Sequence, residues 1–328
     1  MGRVVITGAS GLLGSNLARN LHQLGHSVCC IKRRTSDVSH LADLPLSWST
    51  VELSDLAALT NAFEGKEAVF HCAALVSYAE VNSAAMELIN VEGTRNVIDA
   101  AIKAGVKRLI HCSTVDALPF PQGGEIGTEQ GRWNWPNVGF NFSYSRTKYR
   151  AQELALSSST RGLDTVVVNP AFMLGPSDPK PSSGRLILHV ARGRAWGYPA
   201  GSNNFVDVRD VCKGMILAWE RGRSGECYIL GGQNITYREI FLKIAALSGV
   251  RAPKILLPKS LFLGAGYLGD ILSFVGAERD ITTATARLAY AQHKLSSDKA
   301  KRELGYNPGG IENAVRDALQ WFRGVKYL

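Results

Sequence analysis

Val4-Val5-Ile6-Thr7-Gly8-Ala9-Ser10-Gly11-Leu12-Leu13-Gly14 is the stretch on which the fold turns. The short β-branched run reads as a buried strand, and residues 12–24 follow it with helical spacing. Glycines fall between and just inside the two elements, at 8, 11 and 14. Gly8 permits a tight turn, Gly11 lets the main chain approach a pyrophosphate, and Gly14 lets the helix pack closely on the strand. The helix start then offers free N–H groups and a partial positive charge to an anion. A lone glycine triplet is a weak signal. Directly after a strand and before an amphipathic helix, it points to a dinucleotide cradle made by Gly8, Ser10, Gly11, Leu12, Leu13 and Gly14.

Strand patterns recur downstream at 27–31, 68–72, 108–113 and 165–169, with a weaker one at 47–53. Helical patterns lie between them at 56–63, 81–104 and 143–160. Alternating strands and helices imply an α/β protein with a doubly wound parallel sheet. The strands are continuous apolar runs, as burial on both faces requires. After Pro170 the alternation fails. A loop is expected at 174–184, a helix at 185–192, turns up to Asn204, a helix at 208–221, a strand at 227–230, and helices at 237–247 and 311–323. Residues 1–172 thus read as a dinucleotide-binding domain, with 205–230 returning to it. Residues 173–204 and 231–328 read as a smaller, interleaved substrate lobe. The apolar stretch 260–275 lacks the Lys and Arg that the polar face of a membrane-surface helix carries, so it is expected to pack or to line the substrate.

Composition narrows the function classes. With 45% hydrophobic and 20% charged residues, the 328-residue chain has material for a substantial core. The net charge of +9 favours anionic ligands. The longest basic cluster is only Lys32-Arg33-Arg34, and no basic stripe with interleaved aromatics suggests nucleic acid. None of the six cysteines forms a CxxC pair, so no zinc or other metal site is expected. Free thiols in apolar strands suit a reducing, cytoplasmic compartment. The first residues do not read as a signal peptide, and no run of about 18 apolar residues suggests a membrane span.

Tyr144-Ser145-Arg146-Thr147-Lys148 places a phenol and an ammonium one helical turn apart, on one face. A nearby positive charge favours the phenolate and would bring Tyr144 toward general acid–base work. The preceding strand ends in Cys112-Ser113-Thr114, where a hydroxyl can bond a substrate oxygen. Either hydroxyl, that of Ser113 or that of Thr114, is a candidate. His71 reads as a strand residue rather than a catalyst. Asp207 and Asp210 read as helix N-terminal caps.

Thr7, the GxxGxxG spacing and the YxxxK pair together resemble the extended short-chain dehydrogenases. The resemblance runs over nearly the whole chain and is tightest in the first 176 residues. It implies a Rossmann domain and an NAD(P)-dependent oxidoreductase. Tyr144 would be the acid–base group, Lys148 the residue that tunes it and holds the nicotinamide ribose, and Thr114 the catalytic hydroxyl. Asn90 falls where the family often has Asn, either in a proton relay or simply bonded to backbone. Glu52-Leu53 stands where the family has Asp-Leu at the adenine, Ala73-Ala74 where the main chain passes the cofactor, and Pro170 and Phe172 beside the nicotinamide. After the second strand the chain has Lys32, Arg33, Arg34 and Ser36 rather than an acid. Cations and a hydroxyl there suit the 2′-phosphate of NADP, although Asp37 keeps NAD open. Sugar-nucleotide members commonly place Arg before the returning segment, and Gly201-Ser202-Asn203-Asn204-Phe205 has none. Trp133, Trp135, Phe140 and Phe142 either face an apolar substrate or anchor their own loop. The whole looks most like the dihydroflavonol-reductase and 3β-hydroxysteroid-dehydrogenase branch, a likeness that also implies a homodimer in many members. Epimerases and dehydratases that use the cofactor as a redox shuttle are the alternative.

Overall fold

A computed structural model of the protein describes residues 1–274 and 281–328. The chain begins β1 (Arg3–Thr7), α1 (Leu12–Gln23), β2 (Ser27–Lys32), β3 (Ser47–Thr50), α2 (Leu56–Phe63) and β4 (Ala68–His71). A long helical stretch then runs from α3 (Ser83–Met86) through a π turn (Glu87–Glu92) into α4 (Gly93–Lys103). After it come β5 (Arg108–Cys112), α5 (Ser143–Ser157), β6 (Asp164–Pro170), β7 (Phe172–Leu174), α6 (Arg185–Ala191), β8 (Gly197–Tyr198) and β9 (Ser202–Asp207). The remaining elements are α7 (Val208–Arg221), β10 (Cys227–Leu230), β11 (Gln233–Thr236), α8 (Tyr237–Ser248), β12 (Ile255–Leu256), α9 (Lys259–Phe274), α10 (Thr283–Leu288), α11 (Asp298–Leu304) and α12 (Ile311–Gly324).

Seven strands form one sheet in the order β10-β6-β5-β4-β1-β2-β3, and every pairing in it is parallel. The chain winds outward from β1 through β2 to β3, then resumes on the other side of β1 with β4. The switch point therefore lies between β1 and β4, where the strand ends open a crevice for a ligand. One sheet face packs on α1, α7 and α11, with Leu17, Leu21 and Val211 fully buried. The other packs under α2, α4 and α5 around Leu59, Phe63 and Val97. Each such side chain contributes about 1.5–3 kcal/mol relative to leaving it exposed.

The helix starts follow their sequence chemistry. Asp55 accepts a bond from the Ala58 N–H at 2.9 Å and caps α2. Asp207 caps α7 through the Arg209 N–H at 2.8 Å and also pairs with the Arg209 guanidinium. Asp210, expected as a second cap, lies inside the first turn of α7 and instead receives the Gly309 N–H at 2.8 Å and pairs with Lys213.

A second core gathers Leu174, Ile187, Phe205, Ile240, Val315 and Phe322 from β7, β9, α6, α8 and α12. Here the structure departs from the sequence reading. Turns were expected up to Asn204, yet 202–207 is the middle strand of a small sheet, flanked by β11 and β7. Its polar residues hid it: Asn204 is buried because its amide bonds Asn234 at 2.8 Å and receives the Gly232 N–H at 2.7 Å. In turn α11, within the span expected for the substrate lobe, packs with Ala300 and Leu304 in the core of the large sheet. Residue 275, the end of the apolar stretch, lies outside the described residues.

Candidate active site

The crevice at the β1/β4 strand ends opens into a cavity of about 1870 Å3. That exceeds the roughly 300–1000 Å3 filled by one drug-sized ligand and leaves room for a dinucleotide beside a second molecule. Residues from both halves of the sheet line it, including Gly8, Ser10, Gly11, Leu12, Leu13 and Gly14.

Close approach fixes the glycine loop. Gly8 has φ +76°, and a Cβ there would stand 2.6 Å from the Ala73 nitrogen. At Gly14 a Cβ would lie 2.2 Å from the Gly8 carbonyl oxygen, which is how tightly α1 sits on the turn. Gly11 differs: its Cβ would meet nothing nearer than 3.6 Å, so the fold does not demand glycine there. The Ser15 N–H bonds back to the Gly11 carbonyl, and the first turn of α1 carries no acidic residue. The Gly11 N–H closes the turn on the Gly8 carbonyl at 3.1 Å, so the N–H groups of Leu12, Leu13 and Gly14 are the ones available to an anion. A dinucleotide fits these residues.

At the adenosine end Arg33, Ser36, Glu52 and Leu53 line the cavity, together with Lys32. The Ser36 hydroxyl oxygen receives the Arg33 N–H at 3.2 Å. Arg34 is exposed and is not among the lining residues. Asp37 turns into its own loop and accepts the Ser39 N–H at 2.9 Å. Lys180, for which the sequence offered no signal, reaches the same cavity from beyond β7. Ala73 and Ala74 line the middle. His71 is a strand residue as expected, buried and bonded to the Thr7 hydroxyl at 2.7 Å and the Thr94 hydroxyl at 3.0 Å.

Tyr144 and Lys148 sit on the first turns of α5, 8% and 3% exposed, and both line the cavity with Ser113 and Thr114. The start of α5 is tied down by the Glu80 carboxylate, which receives the Ser143 N–H at 2.8 Å and its hydroxyl as well. Lys148 Nζ donates to the Cys112 carbonyl at 2.8 Å, and burial lowers its pKa. The Thr114 hydroxyl receives the Asp116 N–H at 3.3 Å and lies near enough to the Tyr144 phenol to act on its pKa, whereas the Ser113 hydroxyl is buried with no protein partner among the described residues. Geometry thus favours Thr114 as the hydroxyl beside the phenol. Asn169, which donates to the Thr114 carbonyl at 2.8 Å and to Gln152 at 2.6 Å, holds that strand end in place.

One electrostatic expectation is reversed. The sequence argued for a depressed Tyr144 pKa. Among the protein's own groups, burial raises it, and the Asp116 carboxylate and Cys112 thiol add to the rise, while the Thr114 hydroxyl acts the other way. Burial strips solvation from the phenolate. Tyr144 therefore keeps its proton at neutral pH, the form that can protonate an oxyanion.

Asp116 went unnoticed in the sequence. It lies in the cavity wall, its carboxylate accepts the Tyr78 hydroxyl at 2.7 Å, and burial pushes its pKa up to about 6. The Tyr78 ring is 5.4 Å from that of Tyr144. A carboxylate four residues past a strand end has no periodic signature, so only the fold exposes it. Asn90 lies behind the wall, in the π turn, and not among the lining residues. Its amide oxygen receives the Leu75 N–H at 2.7 Å, and its nitrogen donates to the Leu75 carbonyl at 3.0 Å and to Thr147 at 3.2 Å. Of its two readings the structural one describes these bonds.

Trp133, Trp135, Phe140 and Phe142 form their own small core with Phe120, and none of the four lines the cavity. Trp135 is fully buried and donates to the Leu118 carbonyl at 2.8 Å; Trp133 stacks on Tyr149 with centroids 4.8 Å apart. They anchor the loop. The apolar wall comes instead from Pro170, Phe172, Met173, Leu186, Leu257 and Phe262. The stretch expected to pack or line the substrate does so through α9, by Leu261, Leu268 and Leu272.

A doubly wound sheet, a glycine cradle at its switch point and a Tyr/Lys pair at the neighbouring strand end define a nicotinamide-dinucleotide oxidoreductase. The sequence model of the NAD dependent epimerase/dehydratase family matches residues 4–231, and the chain belongs to that family, in its extended short-chain dehydrogenase branch. Among relatives, a putative dihydroflavonol 4-reductase from Synechocystis is 32% identical over 98% of this chain and 95% of its own length. Sterol demethylase protein B from Methylococcus capsulatus is 34% identical over 97% and 98%. The crystal structure of gox2253 superposes with a TM-score of 0.87 at 36% identity, covering both chains completely.

Proposed function

We propose that the protein is an NADP(H)-dependent reductase or alcohol dehydrogenase, acting on the carbonyl or secondary alcohol of a small, apolar substrate. The observation that carries this reading is the convergence of Tyr144, Thr114 and Lys148 on the cavity that also holds the glycine cradle. When bound, the reduced dinucleotide supplies the electron pair to the carbonyl carbon. Tyr144 gives its proton to the carbonyl oxygen. Thr114 orients that oxygen and stabilises its growing charge. Lys148, fixed on the Cys112 carbonyl, keeps a positive charge beside the phenol as the proton leaves. The apolar wall around Phe172, Leu257 and Phe262 excludes water from the reacting carbon.

Arg33 and Ser36 in the cavity wall, with Asp37 turned onto Ser39, support NADP over NAD. The apolar wall and the sterol- and flavonol-related names of relatives support an apolar carbonyl compound.

The test is NADPH oxidation against a panel of ketones and aldehydes, including flavonoid, steroid and long-chain β-keto compounds. Tyr144→Phe is expected to lower kcat by about 10²–10⁴-fold with dinucleotide affinity unchanged. Unchanged turnover in this variant would refute the mechanism. The family's epimerases and dehydratases suggest a second reading, which Asp116 favours as another proton-transfer group beside Tyr144. Product formed without net NADPH consumption would select it.

A further inference from the structure

The cavity mouth carries a patch unlike the rest of the surface. Trp196, Leu261 and Leu268 line the cavity yet are 64%, 53% and 58% exposed. β12 pairs with β8, Ile255 opposite Gly197, so this short ribbon sets Ile255 and Leu256 beside Trp196. Both are more than half exposed, and so are Tyr267 and Ile271 on α9. Seven of the sixteen large hydrophobics exposed among the described residues thus fall at Trp196 and between Ile255 and Ile271. Scattered exposed apolar residues need no explanation, but a concentration does.

The same segments are one-sided in charge. Residues 179–206 and 240–269 contain eight Lys and Arg and no Asp or Glu, and Asp270, the one acid of α9, is half-buried with its carboxylate turned onto the Thr283 N–H at 3.2 Å. Lys243 pairs with Glu312. Arg194, Arg251, Lys254 and Lys259 are exposed, with no carboxylate partner among the described residues. Arg194 precedes Trp196 by two residues, Lys254 adjoins Ile255, and Lys259 opens α9. The sequence argued against a membrane-surface helix because α9 lacks cations on its polar face. The fold supplies them from the neighbouring ribbon.

We infer that the cavity mouth docks on an anionic phospholipid surface, with α9 and the β8–β12 ribbon lying in the interface. An indole and aliphatic side chains with lysine and arginine beside them in the same segments match an interfacial surface. No helix among the described residues is long and apolar enough to cross a membrane, so the attachment is peripheral. A neutral protein partner would explain the apolar residues but not the excess of exposed Lys and Arg beside them. Trp196, Leu261 and Leu268 belong both to the patch and to the wall of the cavity, so docking brings a lipid-dissolved substrate to the site without crossing water. That last step rests on the proposed reductase reading; the docking does not.

The test is flotation with phosphatidylcholine vesicles containing about a quarter phosphatidylglycerol, against pure phosphatidylcholine. Binding to the anionic vesicles is expected to be roughly tenfold stronger or more, and to weaken with salt. Arg194→Glu/Lys254→Glu/Lys259→Glu should abolish the difference, and Ile255→Ser/Leu256→Ser should reduce binding to both vesicles. These residues lie outside the cavity wall, so both variants should keep wild-type turnover of a water-soluble carbonyl. Absent or equal binding to the two vesicles overturns the proposal. A mass that doubles with concentration and reverts in Ile255→Ser/Leu256→Ser also overturns it, because a second copy then covers the patch. Vesicle binding without carbonyl turnover would leave docking standing and refute the reductase reading.

Discussion

At the dinucleotide end of the cavity the wall is main chain, and three glycines within seven consecutive residues shape it. At the substrate end the wall is side chain. Tyr78, Asp116, Phe172, Leu186, Leu257 and Leu268 reach it from segments almost two hundred residues apart. At Gly8 and Gly14 the first end has no room for an added atom, whereas the second is assembled from side chains far apart in sequence. A cradle for a shared cofactor is thus fixed by local backbone geometry, and substrate preference by distant side chains. Changes at the first end should act through folding or dinucleotide affinity, and changes at the second through pH dependence and specificity.

Substituting Gly14 presses this contrast hardest. Gly14→Ala puts a methyl 2.2 Å from the Gly8 carbonyl oxygen, and overpacking backbone against backbone should lower stability by at least about 3 kcal/mol, read by denaturant unfolding. Gly11→Ala is the control: its methyl has 3.6 Å of room, so stability should hold while dinucleotide affinity falls about tenfold, some 1.4 kcal/mol. Equal destabilisation by the two would break the distinction between a packing glycine and a ligand-facing one. Arg33→Ala should weaken NADPH binding by a similar factor and leave NADH unaffected, measured by fluorescence titration; parallel losses would remove the case for a 2′-phosphate contact.

Asp116 offers the smallest effect, at the opposite end. Its folded-state pKa of about 6 lies above the unfolded value of about 3.9. The native state therefore binds the additional proton between those values, and stability gains as pH falls from 6 toward 4. Wild type should gain about 1 kcal/mol relative to Asp116→Asn between pH 7 and 5. His71 and His293, lowered by burial to about 3 and about 4, act the other way, losing stability as pH falls below about 6.5. They are present in both proteins and cancel in the comparison.

The same division explains what the sequence could reveal. The strands of the large sheet and the helices α1, α2, α5 and α7 were legible because each carries its own periodicity and, in α2 and α7, its own cap. Tyr144 and Lys148 were legible because one helix holds both. β9 was not, because Ser202, Asn203 and Asn204 look like a turn until Gln292 satisfies Ser202, and Asn234 and the Gly232 N–H satisfy Asn204. The four loop aromatics gave a real signal that sequence could not resolve: ring chemistry is the same against a ligand as against Phe120 and His293. Asp116 and Lys180 were silent because their significance is purely spatial.

Removing one residue from the π turn at Glu87–Glu92 would return that stretch to regular α geometry. The residues on one side of the deletion would then rotate by about 100° relative to the other. Asn90 would swing off Leu75 and release the 72–78 segment that it now clamps from behind. A homologous chain with a one-residue gap at this point must brace that segment otherwise, so alignment length alone at 87–92 would flag relatives whose substrate chambers differ in shape.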